Sequence, residues 1–92
     1  MSEHATATYT IVNDLGLHAR AATKLVQLAS KYACEVVLSH AGQTANAKSV
    51  MGVLLLCGSK GTVIEVSATG AGADACVKAI GELIASRFGE PS

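Results

Sequence analysis

Hydrophobic and polar positions alternate over Thr6–Val12, where Tyr9 and Ile11 stand against Thr8 and Thr10, the two-residue period of a half-buried strand. Asn13-Asp14-Leu15-Gly16 interrupts it with turn formers. From Ala19 to Tyr32 the period changes: Ala22, Leu25, Val26, Ala29, Tyr32 and Ala33 recur at helical spacing and predict an amphipathic helix. Alternation returns over Glu35–His40, with Val36 and Leu38 facing away from Val37. Ala41-Gly42-Gln43 then turns the chain into a partner strand over Thr44–Ala47. Ser49–Cys57 is a short apolar segment with a capping serine ahead of it and Gly58 behind, which predicts a helix of about two turns. Gly61–Thr69, built around Val63, Ile64 and Val66, reads as another strand. After Gly70–Gly72, the residues Cys76, Val77, Ile80, Leu83, Ile84 and Phe88 line one face of a closing helix over Ala73–Phe88. The order is β-α-β-β-α-β-α. Strands joined without helical crossovers favour an antiparallel sheet, so the expected fold is α+β, with helices on one sheet face and solvent on the other.

Composition narrows what such a fold can do. Ninety-two residues make a single domain over 1–92, its core spanning about 6–88, and a chain half hydrophobic can build that core without cofactor, metal or disulfide. Seven Lys and Arg balance seven Asp and Glu, so the basic footprint of a nucleic-acid binder is missing. Tyr9, Tyr32 and Phe88 are the only aromatics, too few for base-stacking platforms. The polar start, Met1–Thr10, has no secretory pattern, and the longest apolar run, Val53–Cys57, is far too short to span a bilayer. A cytoplasmic location without membrane insertion is expected. Cys34, Cys57 and Cys76 form no C-x-x-C pair and are expected to be small buried hydrophobes. No spacing suggests metal ligands, and His4 and His40 read as solvated surface residues.

The chemistry gathers where the first turn enters the first helix, at Gly16-Leu17-His18-Ala19-Arg20. Free N–H groups and the macrodipole at a helix start disfavour a cation, which pushes the His18 imidazole toward its neutral, nucleophilic form. The same donors would receive an anion carried on that ring. The Arg20 guanidinium suits phosphate oxygens, and Gly16 allows close approach of a partner. Spacing alone leaves a plain alternative open: His18 as a capping histidine and Arg20 as a solvated charge.

Gly16-Leu17-His18-Ala19-Arg20-Ala21-Ala22 resembles the active-site signature of HPr, the histidine-containing phosphocarrier family of the bacterial phosphoenolpyruvate:sugar phosphotransferase system. Asn46-Ala47-Lys48-Ser49-Val50-Met51-Gly52-Val53 resembles that family's regulatory-serine signature, with Ser49 thirty-one residues after His18. Gly61-Thr62-Val63 is similar to the entry into its last strand, and the likeness runs over Thr6–Phe88. It implies an open-faced β-sandwich, a four-stranded antiparallel sheet covered on one face by three helices. It implies a stoichiometric carrier, not an enzyme, needing no cofactor and acting as a monomer. His18 would accept a phosphoryl group on Nδ1 from phosphorylated Enzyme I, assisted by Arg20, and pass it to an enzyme IIA domain. Ser49 would be the target of a dedicated HPr serine kinase, and Val50, Met51 and Leu54 would join Arg20 in the patch that meets the partners. The helix after Ser49 is apolar nearly all round, too much for one small sheet to cover, which independently favours exposed apolar surface there. Ser49 also has a purely structural role open to it, as an N-cap.

One position departs from the pattern. The family usually carries proline where this chain has Ala21. Alanine keeps the helix but gives up rigidity beside His18, about 0.4–1 kcal/mol through the unfolded state. Two other readings stand beside sugar uptake: a carrier for a regulatory, nitrogen-related branch, and a small α+β regulatory module that binds a ligand without covalent chemistry.

Overall fold

A computed structural model describes residues 3–92. The chain runs β1 (His4–Thr10), α1 (Ala19–Ala29), β2 (Glu35–His40), β3 (Gln43–Asn46), α2 (Val50–Leu55), β4 (Val63–Thr69) and α3 (Ala73–Ala85), ending in a 3-10 turn at Arg87–Gly89. The four strands form one sheet in the order β1-β4-β2-β3, every neighbouring pair antiparallel. This is the open-faced architecture expected from the pattern of the chain.

Strand alternation decides which face is covered. Val36 and Leu38 of β2 and Ile64, Val66 and Ala68 of β4 are buried, while Val37, Val63 and Glu65 point outward. The inner set meets Ala22, Leu25 and Ala29 of α1, Val53 of α2, and Cys76, Val77, Ile80 and Ile84 of α3 in one apolar cluster. Full burial of each large side chain there stabilises the fold by about 1.5–3 kcal/mol.

Several element ends differ from expectation, each for a local reason. α1 stops at Ala29, not Tyr32, because Lys31 and Tyr32 donate to carbonyls three residues back and tighten the last turn. Lys48 Nζ then takes the Tyr32 carbonyl at 2.7 Å. β1 begins at His4 and ends at Thr10, in register with the whole of β4 from Thr69 to Val63. β3 starts one residue earlier than expected, at Gln43, because His40 pairs directly with it and leaves Ala41-Gly42 alone as the turn. β4 starts at Val63, two residues later than expected.

α2 is one turn and a half, and the residue that ends it with positive φ is Cys57 (φ 54°), not Gly58. α3 ends at Ala85, where Ser86 Oγ donates to the Leu83 carbonyl. Phe88 reaches the core all the same, carried there by left-handed backbone at Arg87 and Phe88 in place of continued helix. Cys34 and Cys76 are buried as expected, but Cys57 is exposed. His4 is exposed with Nδ1 beside Thr69 Oγ1, and His40 is half-buried at the hairpin, not freely solvated.

Candidate functional site

His18 is the N-cap of α1. Its backbone is extended and its ring folds back over the helix start, so that Nδ1 accepts the Arg20 backbone N–H at 3.3 Å. The loop that delivers it is pinned from below. Leu17 N–H donates to the Gly58 carbonyl at 2.7 Å, and Gly16 (φ 66°) lies so close to that strip that a Cβ on it would sit 2.4 Å from the same oxygen. The loop before α1 and the loop after α2 are therefore stitched together, which holds the two sequence blocks in fixed relation.

The other ring nitrogen has a partner that sequence reasoning did not find. Glu90 Oε2 meets His18 Nε2, and Glu90 Oε1 accepts from Asn13 Nδ2 at 3.0 Å. Asn13 is fully buried and also donates to the Gly16 carbonyl at 2.9 Å. A carboxylate has no proton to give, so the hydrogen of the His18–Glu90 bond belongs to Nε2, while the Nδ1 lone pair accepts the long Arg20 backbone N–H contact. His18 and the Asn13 amide hold the Glu90 carboxyl below the ordinary carboxylate range. A depressed carboxyl stabilises the fold above its unfolded value, and that contribution is lost as pH falls through the lower, folded value.

An open cleft of about 530 Å³ lies over this group, with Leu15, His18, Ala19, Arg20, Glu90 and Pro91 in its wall. The Arg20 guanidinium is exposed and makes no ion pair among the described residues, which leaves its donors free for an anion at Nδ1. His18 is part-buried, its side chain 27% accessible. Chemically this is an imidazole whose Nδ1 faces the start of α1, with the Arg20 backbone N–H beside that nitrogen and an exposed guanidinium on the same residue.

Ser49 is the N-cap of α2, its Oγ accepting Gly52 N–H at 3.1 Å. Of the expected docking residues, Met51 is 68% exposed and Val50 36%, whereas Leu54 is only part-exposed and packs against the core. Leu55, 68% exposed, adds to the apolar surface of α2 beyond the residues expected for it, and Leu15, 70% exposed, stands in the wall of the His18 cleft, while Val53 and Leu56 are buried. α1 packs beside α2, so this surface and the His18 cleft belong to one side of the molecule. The described residues contain no cluster of His, Cys, Asp and Glu fit to hold a metal and no helix long and apolar enough to cross a membrane.

Comparison with known proteins returns one family. Residues 5–86 match the family model described as PTS HPr component phosphorylation site. The chain is 49% identical over 81 residues to a phosphocarrier protein HPr of Xylella fastidiosa, covering 88% of this chain and 91% of that protein. It is 45% identical over 83 residues to a phosphocarrier protein NPr of Shewanella violacea, covering 90% and 91%. Its structure superposes on the crystal structure of an HPr from Thermoanaerobacter tengcongensis with a TM-score of 0.92 at 40% identity, covering 96% of this chain and 99% of that one.

Proposed function

The chain belongs to the HPr family of phosphotransferase-system phosphocarriers, which are carriers and not enzymes, and from that premise we propose that His18 is its phosphoryl acceptor. On this reading phosphorylated Enzyme I is the donor and an enzyme IIA domain the recipient, in the cytoplasm, with the carrier shuttling as a monomer. The observation that carries the reading is the orientation of the ring: Nδ1 faces the first N–H groups of α1 while Nε2 is held by Glu90.

The step balances without a cofactor. The Nδ1 lone pair attacks phosphorus, a P–N bond forms, and the bond to the donor atom breaks with its electron pair left on the donor. The ring gains positive charge as this happens, and the phosphoryl oxygens meet the N-terminal amides of α1 and the Arg20 guanidinium. Transfer onward is the reverse of the same step, which suits an open cleft better than a closed pocket.

Ser49 is proposed as a regulatory phosphorylation site for an HPr serine kinase. A phosphate at the start of α2 is compatible with the helix dipole, so its effect would be exerted on docking, through charge set beside Val50, Met51 and Leu54. Arg20 would serve that surface as well as the phosphate. A flexible methionine on such a patch suits a carrier with several partners.

A second reading concerns the branch served. Ala21 in place of the usual proline, together with the NPr relative, supports a regulatory phosphotransfer chain as the alternative to sugar uptake. The acceptor domain that takes the phosphoryl group faster distinguishes them. The first test precedes that question: incubation with phosphoenolpyruvate and Enzyme I should add one acid-labile phosphoryl group, and His18→Ala should abolish the gain. A fold intact but never labelled would return the chain to the non-covalent module.

A further inference from the structure

We propose that Glu90 is a positioning residue for this chemistry: its carboxylate, seated on the buried Asn13 amide, fixes His18 as the Nε2–H tautomer and offsets the charge the ring gains during transfer. The proposal rests on the reading of His18 as acceptor and adds to it the group that aims the ring.

The two hydrogen bonds of the imidazole agree with each other. Nδ1 accepts from the Arg20 backbone, which requires an unprotonated nitrogen, and Nε2 faces a carboxylate, which requires a protonated one. The backbone bond is long and exposed at 3.3 Å and would hold the tautomer weakly by itself. The charge-assisted partner on Nε2 is the stronger of the two.

Glu90 is itself held in place. Asn13 has no exposed surface, and its amide is oriented by two acceptors, the Gly16 carbonyl and Glu90 Oε1. Turned over, it would set its own oxygen against both. The backbone that carries Glu90 is anchored on either side of the cleft. Phe88 is buried in the core, its carbonyl accepts Lys24 Nζ from α1 at 2.6 Å, and Glu90 N–H closes the turn on the Arg87 carbonyl at 2.9 Å. Left-handed backbone at Arg87, Phe88 and Gly89 swings the chain off the axis of α3 toward α1. Non-glycine residues hold that conformation only where their surroundings impose it, and what it achieves here is a carboxylate behind the reacting ring. The arrangement is physically that of a carboxylate, a histidine and a reacting centre in line, in which the carboxylate sets the tautomer and stabilises the imidazolium without taking the proton.

The test uses the full chain with imidazole nitrogens labelled by 15N, in wild type, Glu90→Gln and Glu90→Ala, with melting curves to confirm folding. Neutral wild-type His18 should give the nitrogen shifts of a single Nε2–H tautomer. Glu90→Ala should show a mixture of tautomers and transfer from Enzyme I slowed about tenfold or more, the range found where a residue that orients a histidine is removed. Glu90→Gln, which can still accept from Nε2–H but lacks charge, should keep the tautomer and still transfer slowly. A wild-type Nδ1–H tautomer overturns the proposal, as does an Ala variant with either its tautomer balance or its transfer rate unchanged. Failure of the underlying reading shows separately, as label that persists on His18→Ala.

Discussion

Adding one methyl group at Gly16 tests how firmly the His18 loop is stitched to the loop after α2. Alanine at φ 66° costs about 1–2 kcal/mol in the left-handed region. Its Cβ would also lie 2.4 Å from the Gly58 carbonyl oxygen and 2.9 Å from the Ser59 Cα, both backbone atoms that cannot rotate away. Relieving that overlap costs about 1–3 kcal/mol and strains the Leu17 N–H bond to the same carbonyl, worth about 1 kcal/mol. The total is about 3–6 kcal/mol, against the roughly 5–14 kcal/mol that holds a chain of this size folded. At about 4–8 °C per kcal/mol, Gly16→Ala should lower Tm by more than about 12 °C.

Two companions separate the contributions. Gly42 has φ 81° and open space around it, so Gly42→Ala carries the backbone cost of about 1–2 kcal/mol alone, about 4–16 °C. Gly58→Ala meets chiefly the Leu17 side chain, with Cδ1 at 2.7 Å, which can turn aside, and should fall between the other two. Circular-dichroism melts rank them, and phosphotransfer measured well below every Tm should drop for Gly16→Ala alone. A Gly16→Ala loss no larger than that of Gly42→Ala would refute the stitched loop.

Ser49→Ala should cost about 1 kcal/mol, some 4–8 °C, by removing the cap on Gly52 N–H, whereas Ser49→Asp should keep Tm and weaken docking of Enzyme I. An aspartate variant with wild-type transfer would leave Ser49 as a cap alone. Arg20→Ala should slow transfer roughly tenfold or more with Tm unchanged, since the guanidinium makes no ion pair among the described residues and a charge-assisted bond to phosphate is worth about 1.5–3 kcal/mol; unaltered kinetics would make it a solvated charge. Thiol reagents should modify Cys57 rapidly and spare Cys34 and Cys76 until unfolding, because those two are buried and burial beside Cys34 pushes the Cys76 thiol up to about 11. Equal labelling of all three in native protein would contradict the packing.

Periodicity reported the fold well wherever one face of an element meets the core. The alternation of Val36, Val37 and Leu38 gave the covered and open sheet faces, and the helical spacing of Leu25 and Ala29 gave the buried stripe of α1. It misled at element ends, where hydrogen bonding of the last carbonyls decides. Tyr32 continued the apolar stripe of α1 yet lies beyond its tightened final turn, and Phe88 kept the spacing of α3 while arriving by a left-handed turn. On α2 an all-apolar sequence carries no periodic signal, so Leu55 outside and Val53 inside were not separable until the sheet was placed beneath them. The placement of His18, Arg20 and Ser49 at helix starts was legible because it depends on local sequence. Glu90 was not, since its meaning depends on contacts with His18 and Asn13, seventy-two and seventy-seven residues away. The one available signal was a lone acidic residue beyond the last helix, and that does not point to a ring nitrogen.

Transfer as proposed requires His18 to present Nδ1 to the phosphoryl donor with Nε2 already engaged by Glu90. Its most direct test is 15N NMR of the protein phosphorylated by Enzyme I and phosphoenolpyruvate, which identifies the nitrogen that forms the P–N bond. A single phosphoryl group on Nδ1 of His18 is expected, with Nε2 still bearing its hydrogen. A phosphoryl group on Nε2, or on His4 or His40, would contradict it.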